Sequence, residues 1–185
     1  MNANNQVTKV RVNKLMANIV CGLLTVLLCA GFIGLARLLP HYSSSVAASH
    51  ALAALAAIVC LMVVHEALHA LGMVRFGKVS WHDIRFGFMW RALMPYCHCA
   101  VPLSMHACRR MALLPLWVTG AVTLTFLLLF PSDWVGLITG ITLASCVGDV
   151  WLVSKLRRFP DDWLVQDSPS EIGCDVFPPV SAIVT

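Results

Sequence analysis

Four long apolar runs, at residues 15–39, 51–74, 111–130 and 134–156, set the terms on which this chain can fold. A helix rises about 1.5 Å per residue, so about 20 residues cross a hydrocarbon core of roughly 30 Å. Of the 185 side chains, 59% are hydrophobic and 12% charged, and the mean hydropathy is +0.80. That is too apolar for a soluble domain of this size. The expected fold class is an all-α polytopic membrane protein of about four transmembrane helices.

Basic residues orient the spans, because short cytoplasmic loops retain Lys and Arg. Lys9, Arg11 and Lys14 precede the first run, six basic residues from Arg75 to Arg110 lie between the second and third, and Lys155, Arg157 and Arg158 follow the fourth. The connections at 40–50 and 131–133 carry none. These signals describe a multi-pass protein of a cell membrane, such as a bacterial inner membrane, with both termini cytoplasmic. The net charge of +4 is then mostly a topology signal, and no nucleic-acid partner is expected. Eight cysteines, half inside spans and half on the cytoplasmic side, are expected as reduced thiols rather than a disulfide framework.

The second run ends in His65-Glu66-Ala67-Leu68-His69. In a helix the two imidazoles, four residues apart, point to nearly the same side and can share one tetrahedral metal. Glu66, about 100° round, can reach water at that metal. Placing three ionisable groups in an apolar segment costs several kcal/mol without a compensating role. The chemistry suggested is zinc-assisted hydrolysis of an amide, with Glu66 as general acid/base.

Two histidines need a further protein ligand, and Asp149 is the only acid besides Glu66 in any of the four runs. His69 lies six residues before Arg75 and Asp149 six before Lys155, so both are expected about 9 Å from the cytoplasmic boundary. His65, His69 and Asp149 are therefore the candidate ligands of Zn2+. Thr142, Ser145 and Asp149 recur at helical spacing, as a stripe facing a polar cavity would.

Other stretches carry weaker signals. Gly22, Gly31 and Gly34 in the first run, and Ala51, Ala53, Ala54, Ala56 and Ala57 in the second, allow close helix packing. Residues 76–104 read as an interfacial hairpin or re-entrant segment, with Trp81 and Trp90 at headgroup level. Cys97-His98-Cys99 lacks the C-x₂₋₄-C spacing and second half of a structural zinc site. Asp133 is expected as a solvated turn or cap residue. Prolines at 160, 169, 178 and 179 argue against a long helix in the polar tail. The expected division is a transmembrane domain at 1–158, with the interfacial segment inside it, and a cytoplasmic tail at 159–185.

Three stretches together resemble the putative zincin peptidase family of membrane proteins, once known only as a domain of unknown function and similar in layout to site-2-type intramembrane metalloproteases. They are His65-Glu66-Ala67-Leu68-His69-Ala70-Leu71-Gly72, then Ser145-Cys146-Val147-Gly148-Asp149-Val150, and Asp162 to Pro169 with Ile172-Gly173-Cys174. The resemblance implies His65, His69 and Asp149 as zinc ligands and Glu66 as the catalytic acid/base. The expected function is a membrane-embedded zinc metalloprotease acting on a membrane-anchored peptide or protein. Two alternatives are a non-catalytic zinc-binding membrane protein with a structural or partner-recognition role, and a carrier that moves the ion through the bundle.

Overall fold

The computed structural model describes residues 7–11, 14–44, 48–89, 94–167 and 173–179. It is mostly helical, at 67%, but 18% is β-strand, which corrects the expectation of an all-α chain. In order the elements are β1 (Thr8–Arg11), α1 (Lys14–Leu38), α2 (Ala48–Gly77), β2 (Ile84–Met89), β3 (Met94–Cys99), β4 (Leu103–Ser104), α3 (Met105–Leu129), α4 (Asp133–Ser145), α5 (Val147–Leu156), β5 (Leu164–Asp167) and β6 (Gly173–Phe177). Four helical stretches, Asn18–Leu38, Ser49–Gly77, Met105–Leu129 and Asp133–Leu156, are long and apolar enough to cross a membrane. They match the four runs read from the sequence, except that the third starts six residues earlier.

By its own packing the chain forms two compact units, one of residues 17–65 and 115–148 and the other of 1–16, 66–114 and 149–185. Among its described residues the first is helical apart from its turns and an isolated β-bridge between Ser43 and Ser132. Its buried polar residues include Thr119, Thr123, Thr139 and Thr142, while Leu23, Val26, Leu27, Leu52, Trp117 and Leu128 are exposed. This is the reverse of a water-soluble bundle and suits hydrocarbon, where leucine gains nothing by hiding and a hydroxyl must find a partner. Thr119 donates to the Pro115 carbonyl at 2.7 Å, and Thr123 to the Thr119 carbonyl at 2.9 Å. Thr139 bonds Val135 within α4 and reaches the Thr123 carbonyl of α3 at 3.3 Å.

The close helix contact in this unit comes from glycines other than those expected. A Cβ on Gly140 would lie 2.6 Å from the Cα of Cys29, and one on Gly136 2.8 Å from the carbonyl oxygen of Phe32. One on Gly22, Gly31 or Gly34 would meet nothing within 4 Å. Gly136 and Gly140 share one face of α4, so its bare backbone lies directly on α1. Of the alanines in α2, Ala54 alone of the five is buried.

Asp133 stands at the surface in the first turn of α4, and Arg37, in the last turn of α1, pairs with it. Its Nε and Nη2 donate to the two carboxylate oxygens of Asp133 at 2.9 and 2.8 Å, and the Tyr42 hydroxyl donates to the same group at 2.9 Å. Ser132 caps α4 by accepting from the Val135 amide.

The second unit combines sheet and helix ends. β1, β6, β5 and β4 form an antiparallel sheet in that order, so the tail strands join the N-terminal strand to the segment leading into α3. Its core holds Met73, Met105, Leu156, Val165 and Val176. The expected hairpin is present as β2 paired with β3, from Ile84 opposite Cys99 to Met89 opposite Met94. Trp81 is exposed in a short turn before it, while Trp90 lies outside the described residues, as do Ser168, Pro169 and Ile172 of the tail.

α3 begins early because its first turn is well capped. The Met105 and His106 amides donate to the carbonyls of Trp163 and Asp161, and Ala107 donates to the Ser104 hydroxyl. Arg109 is no obstacle, since its guanidinium closes the end of α5 with bonds to the carbonyls of Leu156 at 2.7 Å and Phe159 at 2.6 Å, plus an ion pair to Asp161.

Two substitutions test this packing. Gly140→Val should lower the melting temperature in detergent markedly, as overpacking costs about 1–3 kcal/mol, whereas Gly31→Val should leave it unchanged. Arg109→Ala should destabilise the second unit by about 2 kcal/mol, the worth of charge-assisted hydrogen bonds, with early loss of amide protection at 150–159 in hydrogen exchange.

Candidate metal centre

His65, Glu66 and His69 stand on α2, an unbroken helix through the motif, so the two histidines are one turn apart on a shared face. The helix stays regular because its neighbours are alanine, leucine and valine, with Gly72 the first weak position. A Cβ there would lie 2.7 Å from that of Met111, so Gly72 lets α2 and α3 approach closely just beyond His69.

Within the second unit His69 is held from both sides. Its Nδ1 lies 3.2 Å from the Met111 carbonyl, and its Nε2 lies 3.5 Å from Oδ1 of Asp149. A backbone carbonyl can only accept, so Nδ1 carries a proton on that side, and Nε2 is the nitrogen turned to the Asp149 carboxylate. Two ligand atoms on one tetrahedral zinc, each about 2.0–2.1 Å from the ion, stand about 3.3 Å apart. The His69 and Asp149 pair fits that spacing.

Within the first unit His65 is buried, and its Nδ1 lies 3.5 Å from Oγ of Ser145 and 3.9 Å from Sγ of Cys146. Both partners sit where the fourth span is interrupted. α4 ends at Ser145, Cys146 caps it, and α5 starts at Val147. The Ser145 hydroxyl and the Cys146 thiol both donate back to the Thr142 carbonyl, at 2.7 and 3.4 Å, offering that carbonyl an alternative to the helical ladder. Gly148, a weak helix former, follows. The expected stripe of Thr142, Ser145 and Asp149 is therefore not one straight helical face. His65 and Cys146 thus stand together in this unit, as His69 and Asp149 do in the other.

Cys146 is the residue the sequence reading passed over. Its signal was present, a thiol three places before the candidate aspartate, but four of the eight cysteines lie in spans and nothing in the pattern singles this one out.

Cys97-His98-Cys99 does not act as one cluster. On a strand, successive side chains face opposite ways, so His98 is turned from the two thiols. Burial pushes Cys97 up to about 12, with the Glu66 charge adding to it, and burial also raises Cys99. His98 instead turns to Asp167 of β5, with Nδ1 3.4 Å from Oδ2. Asp167 also accepts from the Cys99 amide at 3.4 Å, and burial holds its carboxyl above the usual range. These two residues, with Val7, Gln166, Asp175 and Phe177, line a cavity of about 310 Å³.

No curated protein and no solved structure matches this chain. A family described as "Putative zincin peptidase" has a sequence model that matches residues 58–164, a stretch from the middle of α2 to the start of β5. That match takes in more than half of the 185 residues, together with His65, His69, the helix break and Asp149, and the chain belongs to this putative zincin peptidase family.

Proposed function

We propose that the chain is a membrane-embedded zinc metallopeptidase that hydrolyses a peptide bond in or beside the bilayer, with His65, His69 and Asp149 as metal ligands and Glu66 as general acid/base. The observation that carries this reading is the setting of His69. One ring nitrogen is spent on the Met111 carbonyl and the other stands 3.5 Å from a carboxylate oxygen, the arrangement by which proteins orient a metal-binding imidazole. Membership of the family supports the same chemistry.

Zinc, when bound, supplies a Lewis acid that polarises a carbonyl and acidifies water near neutral pH. Glu66 takes the proton of the attacking water and hands it to the leaving amine. The Met111 carbonyl holds the His69 ring in one orientation, with Nε2 turned toward Asp149. A helical substrate hides its amides, so the substrate is a membrane-anchored segment that unwinds locally, with weak helix propensity near the cleaved bond.

The outward-facing leucines of the first unit support residence in the bilayer, and the distribution of Lys and Arg supports cytoplasmic termini. Arg37, at the opposite end of α1 from Lys14, pairs with Asp133 and is one basic residue against the twelve on the expected cytoplasmic side.

Two experiments test the proposal. Purified wild type should hold one zinc, and His65→Ala and Asp149→Ala should each lose most of it, while Glu66→Gln keeps the metal and loses proteolysis by a factor of about 10² or more; Glu66→Gln with unchanged function would favour a structural role for the metal. A phosphatase reporter active only outside the cytoplasm should be active when inserted at residues 40–44 and silent when fused after residue 179.

A further inference from the structure

We infer that the Cys146 thiol, which stands beside His65, is itself a ligand of the metal and adds a fourth protein group to the three proposed; this rests on the zinc reading above. Cys146 is 1% exposed, and its Sγ lies 3.9 Å from Nδ1 of His65. A tetrahedral zinc with nitrogen at about 2.0–2.1 Å and sulfur at about 2.3 Å holds the two about 3.6 Å apart. A shift of a few tenths of an ångström would bring the pair to that spacing.

The position is not arbitrary along the chain. His65 and His69 are one turn apart on α2, and Cys146 and Asp149 are three residues apart across the break between α4 and α5. Each imidazole faces one donor from that break, His65 the thiol and His69 the carboxylate. A buried free cysteine ordinarily behaves as a small apolar side chain. This one is placed by a helix interruption against an ionisable ring.

The consequence is chemical. On binding, the S–H bond of Cys146 breaks, its proton leaves to solvent and an Sγ–metal bond forms, with no change of oxidation state. Zinc sites closed by four protein groups are structural, and catalytic ones keep a position for water. Cys146 must therefore release the metal and regain a proton before water can enter, which makes it the group that keeps the resting peptidase inactive.

Cobalt substitution reads this directly. The full-length protein in detergent, loaded with Co2+, should show a thiolate-to-cobalt charge-transfer band in the near ultraviolet, and Cys146→Ser should abolish the band while still binding the metal, at least tenfold more weakly. X-ray absorption at the zinc edge of wild type should show one sulfur at about 2.3 Å, which needs no variant to fold. A metal-loaded wild type without sulfur in its shell, or a band that survives in Cys146→Ser, would overturn the role of Cys146 and leave the zinc reading standing. Wild type that binds no metal would overturn both.

Discussion

The hold on the His69 ring is the contact on which the rest of this reading turns. An imidazole in a helix is free to rotate and to carry its proton on either nitrogen, and neither state is useful until something chooses. Here the Met111 carbonyl chooses, at 3.2 Å from Nδ1. That choice needs α3 close to α2, and the absence of a side chain at Gly72, opposite Met111, permits it. The carboxylate on the other side comes from α5, whose last carbonyls are closed by Arg109 of α3. The candidate site is thus tied to helix ends and caps far more than to any single strong bond.

The two units are packed on different principles. In the helical one, helices touch through bare glycine backbone and through hydroxyls bonded within or between helices, with large apolar side chains outside, a pattern that suits hydrocarbon. The other buries methionine, valine and leucine beneath a four-stranded sheet, as a domain facing water does. One short chain contains both patterns, so average hydropathy describes neither.

The β-structure shows where pattern reading failed and why. Thr8–Arg11 is four residues in a basic lead-in, and β5 and β6 lie in a polar, proline-containing tail. None has the length or alternation that would mark a strand by itself. They are strands because β6 finds β1 on one side and β5 on the other; the β1 partner lies more than 160 positions away and leaves no local trace, and the β5 partner, though near in sequence, lies in a polar stretch with little apolar alternation. The β2–β3 hairpin was legible, since it alternates within a short stretch and its partners are near in sequence.

What the sequence determined by itself was whatever depends on local spacing or on composition: four helices long and apolar enough to cross a membrane, two histidines on one helical face from a separation of four, and a rare acid within an apolar run as a partner worth watching. Only the tertiary structure decided which glycines let helices touch, that Arg37 is paired, that the tail strands join the N-terminal one, and that Cys146 faces His65. The physical reason is the same in each case. Periodicity reports what a segment can present to a neighbour, while the neighbour's identity is settled by packing across distant parts of the chain, where a single missing methyl group or an interrupted helical turn changes who meets whom.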